Sequence, residues 1–268
     1  HKSAIADLEI AEIYSELHLS DEAHELLSRV VGKLSAMKMQ SEEARARFVL
    51  GKTAIRQRKS TFARKELEKA SRLYELEKNQ TKKAVVTIHQ ALLEVNLGNY
   101  DAGREFAKRA RAVFRRTGNR IETLMASWIL GEATARTGNA ARAIRSLHET
   151  LADAFTFEQK QVALLCLNSI GTAQAKTGNL KEAEKAFLRA VSLTESSRAL
   201  LPGEEFKIAF IEGKLEPFNQ LAKIALKQNR VEEAFGFVER AKSRSLLEMM
   251  NGVRGAAKAS TVYSSKAA

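Results

Sequence analysis

A lone thiol, five histidines and a surplus of cations are the groups in this sequence with chemistry to offer. Cys166 is the single cysteine, set in the apolar run Leu164-Leu165-Cys166-Leu167. A nucleophile needs a base within hydrogen-bond reach. A cysteine in an apolar helix packs as a small hydrophobe, and no catalytic role is expected of it. One cysteine also excludes an intrachain disulfide framework and a multi-cysteine metal site. His1, His18, His24, His89 and His148 show no metal-ligand spacing that also supplies enough ligands; two neutral histidines alone do not make a structural zinc site. No glycine loop of the phosphate- or dinucleotide-cradling kind is present. Neither a catalytic residue nor a cofactor is expected.

The cations are another matter. The chain of 268 residues carries a net charge of +12. Between Gly51 and Arg120 there are 18 Lys/Arg against 7 Asp/Glu, and the remainder is nearly balanced. Arg104, Lys108, Arg111 and Arg115 fall at i, i+4, i+7 and i+11, which places them on one helix face. Such a stripe is by default a solvated face. It also suits an acidic partner, or phosphates, although aromatics, at 6%, are few for stacking bases.

These side chains ride on a repeat. Gly171, Gly131, Ala91, Gly51 and Ala11 form a ladder of small residues spaced by 40, and Ala183, Ala143, Gly103, Ala63 and Ala23 form a second. A small-residue column at fixed period marks helices approaching closely at the same place in each unit, the signature of a helical solenoid. Two prolines, Pro202 and Pro217, leave long helices unbroken, and no alternating β pattern of useful length occurs. The expected fold is all-α: a right-handed solenoid of about six helix-turn-helix units. Five units occupy 1–200. Residues 201–252 hold an insertion helix, a sixth unit and a C-terminal helix, and 253–268 form a tail or linker. The turn Arg58-Lys59-Ser60 lacks the glycine of its counterparts Gly98-Asn99, Gly138-Asn139 and Gly178-Asn179, so its geometry is less determined. Gly103 and Ala107 replace larger residues, which brings neighbouring helices closer or thins the contact.

The pattern of a small residue, a Gly-Asn turn, then Ala, a large apolar residue and Ala, as in Gly171 through Ala183, Phe187 and Ala190, resembles tetratricopeptide (TPR) repeats. Their usual period is about 34 residues, so either helices or loops are longer here. The resemblance implies a protein-interaction scaffold whose first helices (A) line a concave groove. Columns facing that groove would then be Glu16, Arg56, Asn96, Arg136, Lys176 and, after the insertion, Lys227; Leu8, Phe48, Ile88, Trp128 and Asn168; and Glu12, Lys52, Leu92, Glu132 and Thr172. The expected peptide- or protein-binding residues are Lys52, Arg56, Asn96, Trp128, Arg136, Asn168, Thr172 and Lys176. Arg56, Asn96 and Arg136 can clamp a carboxylate, since guanidinium is a planar fork. Cations near helix C-termini equally answer the helix dipole, and Phe48, Ile88 and Trp128 equally suit the core between repeats.

The C-terminal stretch, with Phe210, Lys214-Leu215-Glu216-Pro217, Glu233-Ala234, Glu239-Arg240-Ala241-Lys242-Ser243-Arg244 and Leu246-Leu247, resembles the segment that joins bacterial TPR arrays to CHAT domains, which are caspase-like cysteine proteases. That resemblance implies a regulatory or sensor arm for a protease domain absent from this chain. The alternative is nucleic-acid or acidic-partner binding through the basic stripe. With no apolar run long enough for a bilayer and no signal-peptide core at the start, a cytoplasmic protein without a membrane partner is expected.

Overall fold

The computed structural model describes residues 2–199 and 215–241. Among them every regular element is a helix: α1 (Lys2–Glu16), α2 (Ser20–Ala36), α3 (Gln40–Arg56), α4 (Ser60–Leu76), α5 (Gln80–Asn96), α6 (Tyr100–Thr117), α7 (Arg120–Arg136), α8 (Ala140–Thr156), α9 (Lys160–Lys176), α10 (Leu180–Ala199) and α11 (Glu216–Lys227), followed by helical residues 231–241. The fold is an all-α, TPR-like helical repeat. The start of the expected insertion helix at Pro202, the expected C-terminal helix beyond 241 and the expected tail at 253–268 lie outside the described residues.

The long period has a simple origin. From α2 to α10 each helix begins 20 residues after the one before. The extra length therefore sits in the helices, most of them 17 residues long, and the linkers stay at two or three residues. The turns also share one conformation. His18, Lys38, Arg58, Lys78 and Glu158 adopt φ of 55–62°, and Gly98, Gly118, Gly138 and Gly178 lie at 71–98°. Arg58 is thus as left-handed as its glycine counterparts. At Arg58 the amide donates to the Ile55 carbonyl (3.0 Å) while the Lys59 amide donates to the Ala54 carbonyl (2.9 Å). This paired closure of a helix end satisfies two otherwise orphaned carbonyls. It offsets the roughly 1 kcal/mol that a Cβ costs in this conformation. The Lys59 carbonyl then accepts from Ala63 (2.9 Å), opening the next helix. The same bonds recur at Leu19, Met39, Asn79, Asn99 and Asn179.

The chain divides into two compact units, the first ending at Asp153 and the second beginning at Ala154. In the first, Leu8, Leu27, Leu34, Leu67, Ile129 and Phe114 are fully buried among alanines. Gly103 lies close enough to α5 that an added Cβ would meet Val95 Cγ2 at 2.6 Å, so the small residues of the third repeat produce close approach rather than a thin contact. Buried and half-buried polar links join α1 to α3, α3 to α4 and α4 to α5. The hydroxyls of Ser15 and Thr53 are 3.2 Å apart. Arg47 bridges Glu43 and Glu66 at 2.7 and 2.6 Å. Glu94 accepts from Arg64 (2.7 Å) and from Asn99 (2.8 Å).

In the second unit α9 packs on α10, and Phe187 and Val191 meet Phe218, Leu221 and Ile224 of α11. Pro217 sits in the first turn of α11, where its missing amide costs nothing. Arg230 pairs with Glu184 and Arg240 with Glu195, both at 2.7 Å, fixing the last helical pair against α10.

Candidate functional site

The A helices of the first unit frame a cleft of about 440 Å³. Helix α1 gives Glu12, Ser15 and Glu16, α3 gives Arg45, Phe48, Val49 and Lys52, and Tyr74, Lys82 and Val85 close it from α4 and α5. Arg45 grips Glu12 with two nitrogens, so that arginine is already committed. The Lys52 ammonium lies 5.7 Å from the Phe48 ring centre. Burial first, and the neighbouring Arg56 charge second, hold Lys52 below the usual lysine range. The Lys82 ammonium stands 5.6 Å from the Tyr74 ring. Burial above all pushes the Tyr74 phenol up to about 12, so it remains a neutral donor. Behind Phe48, His89 meets its ring edge-on at 4.8 Å. Its Nδ1 lies 3.0 Å from the Val85 carbonyl and must carry the proton, because a carbonyl only accepts. Burial drives His89 down to about 4. The cleft therefore offers two aromatic faces with ammonium groups above them, suited to an apolar anchor beside a carboxylate.

The expected binding residues are not all brought together. Lys52 lines this cleft. Arg56 is beside it, and its Nη1 donates to the Ser15 carbonyl and, at 3.2 Å, to the Ser15 hydroxyl. Arg136 donates to Glu132 at 2.7 Å. Neither guanidinium is an idle clamp. Asn96 is exposed, Trp128 is half-buried and packs against the core formed by α5, α6 and α7, and Ile88 is buried there. Asn168, Thr172 and Lys176 belong to α9 in the second unit, where the Asn168 Oδ1 is buried with no partner among the described residues. Tyr74 and Lys82 escaped the sequence reading because they lie at the end of α4 and the start of α5, off the A-helix columns.

A second concavity of about 760 Å³ lies among α6, α7 and α8. It is lined by Arg104, Lys108 and Arg111 of the basic stripe, but not by Arg115. Arg142 of α8 joins them. The sequence reading missed it because it lies on a different helix from the stripe. Cys166 is fully buried, and burial pushes its thiol up to about 12, which keeps it protonated. Among the described residues no cluster of His, Cys, Asp or Glu could hold a metal ion, and no helix is long and apolar enough to cross a membrane.

Comparison with known proteins places this geometry. Residues 166–197, spanning α9 and α10, match the tetratricopeptide repeat family. No curated protein matches the chain. Among solved structures, the chain is similar to a Rap protein complexed with Competence and Sporulation Factor, at 13% identity and a TM-score of 0.67 over 92% of this chain and 78% of that one. It is similar to NprR in complex with its cognate peptide NprX, at 13% identity and a TM-score of 0.70 over 92% and 70%. It is also similar to nearly identical TPR-like repeats of a kinesin light chain from Podosopora anserina, at 15% identity and a TM-score of 0.57 over 72% and 95%. The chain has a TPR-like helical-repeat fold, within which residues 166–197 match the tetratricopeptide repeat family.

Proposed function

We propose that the chain is a protein-interaction scaffold that takes a peptide, or a peptide-like segment of a protein, in the A-helix cleft of its first unit. The observation that carries this reading is the set Phe48, Lys52, Tyr74 and Lys82 around one 440 Å³ cleft. It pairs apolar faces with cations, as recognition of a short segment with one apolar and one acidic side chain requires. The structures of NprR with its cognate peptide and of a Rap protein with Competence and Sporulation Factor support it by fold. Peptide-display selection followed by calorimetric titration tests it. Phe48→Ala and Lys52→Glu are each expected to weaken the selected peptide by about ten-fold or more. Unchanged affinity in both would place the peptide elsewhere.

The finer role we propose is that of a regulatory arm for a CHAT-type cysteine protease in a bacterial cytoplasm. The C-terminal residues Glu233-Ala234 and Glu239-Arg240-Ala241 support it by resemblance, and a buried, reduced thiol at Cys166 suits that compartment. Sequencing the gene beyond the codon for Ala268 tests it. A following α/β domain with a His and a Cys is expected, and a stop codon or an unrelated domain would overturn it.

A further inference from the structure

We propose that the cleft among α6, α7 and α8 is a second docking site, which binds an extended, acidic segment of a partner protein through Lys108, Arg111 and Arg142. It is separate from the A-helix cleft and does not depend on the peptide reading of that cleft.

Three observations carry the assignment. The first is a shape built by packing. The lining includes Gly131, Ala143 and Ser146, and a Cβ on Gly131 would lie 2.5 Å from Leu147 Cδ2, so α7 and α8 are in close contact beneath the cleft. At about 760 Å³ the cavity is large enough for several side chains of a polypeptide.

The second is uncompensated charge. Arg104 is paired with Asp101 at 2.8 Å. Lys108, Arg111 and Arg142 have no ion pair among the described residues, and the cleft's other carboxylate, Glu105, pairs with none of them. Like charges facing one concavity raise its potential and attract an anionic partner. Arg111 is held below the usual arginine range by burial first and by the Arg115 charge second, as expected where cations crowd without a carboxylate.

The third is spacing. Arg104, Lys108 and Arg111 advance along α6 by about 6 and then about 4.5 Å at a rise of 1.5 Å per residue, and their long side chains widen that reach. Alternate side chains of an extended chain recur about every 7 Å. Acids at every second position of an extended segment can therefore meet successive cations. No aromatic side chain lines the cleft, which removes the stacking platform that single-stranded nucleic acid uses.

Fluorescence anisotropy at physiological salt tests the site. The probes are a labelled 12-residue peptide of alternating Glu and Ser, its Gln-Ser counterpart and a labelled oligothymidylate. The Glu-Ser peptide is expected to bind, and Lys108→Gln/Arg142→Gln to weaken it by about ten-fold or more. Lys65→Gln/Lys160→Gln removes the same charge from exposed positions outside the cleft and is expected to change affinity less than about two-fold. Lys108 and Arg142 are exposed, so their glutamine variants are expected to fold, with thermal melting by circular dichroism as the check. No binding by the wild type, equal binding of the Gln-Ser peptide, or equal loss in both double variants would overturn the proposal. Tighter binding of the oligothymidylate through the same residues would overturn it in favour of a nucleic-acid surface.

Discussion

Phe187 fills the space that a side chain on Gly171 would need: a Cβ there would lie 2.7 Å from the ring carbons Cε1 and Cζ. The same relation, sixteen residues apart, joins Gly51 to Leu67 at 2.8 Å and Gly131 to Leu147 at 2.5 Å. The second, fourth and fifth repeats thus each close their helical pair by seating one large side chain against a glycine. Gly171→Ala is expected to destabilise the second unit by about 1–3 kcal/mol through overpacking. Chemical denaturation of Gly171→Ala, Phe187→Ala and the double variant checks it. The double variant should lose less than the sum of the two, since its alanine has room.

The turns predict opposite signs for opposite substitutions. Gly138 sits at φ 98° and Arg58 at 57°. Gly138→Ala should lower stability by about 1 kcal/mol, because its Cβ is strained there. Arg58→Gly should leave stability unchanged or raise it by up to about 1 kcal/mol. Melting temperatures of the two variants, measured side by side, check the pair.

Arg47 links two helices through Glu43 and Glu66, and all three side chains are largely withdrawn from water, at 13%, 11% and 5% exposure. Removing the guanidinium takes from Glu43 its cationic partner and leaves the buried Glu66 with Lys69 alone, at 3.0 Å. Arg47→Ala should therefore cost about 3 kcal/mol, and adding Glu66→Gln to it should recover part. Denaturant midpoints of the single and double variants provide the readout.

His89 gives the fold an acid-sensitive point. Its ordinary value is 6.5 and the folded protein holds it near 4. Between those values the unfolded chain binds the extra proton and the folded chain does not, so stability rises with pH across this window. As pH falls from about 6.5 to 4, roughly 3 kcal/mol of stability should be lost from this group. His89→Gln should flatten that part of the profile. Stability measured at pH 7 and pH 4.5 for both proteins checks it, and equal slopes would remove His89 as the cause.

Much of the array was legible because its determinants are local. Gly51, Gly131 and Gly171 with Leu67, Leu147 and Phe187 announce a period by residue size alone. The glycine turns are read in the same way, since glycine visits the left-handed region without strain. His18, Lys38, Lys78 and Glu158 were not legible as members of the same turn series. Their conformation is imposed by the closing hydrogen bonds and the neighbouring helices, which outweigh their own preference.

The sequence by itself determined an all-α repeat, the places where helices touch, and a basic middle third, since periodicity, side-chain size and net charge are properties of the chain. Only the tertiary structure decided which charges are spent and which remain. Arg56 and Arg136, aligned at the repeat period, are tied to the Ser15 carbonyl and to Glu132. Arg142, outside the basic stripe, joins Lys108 and Arg111 around a cavity. Arg136 and Glu132 stand four apart on α7, so that pair follows from spacing along one helix; whether Arg56 or Arg142 is answered depends on which carboxylates and carbonyls the packing of other helices brings within about 3 Å, and spacing along one helix does not contain that information.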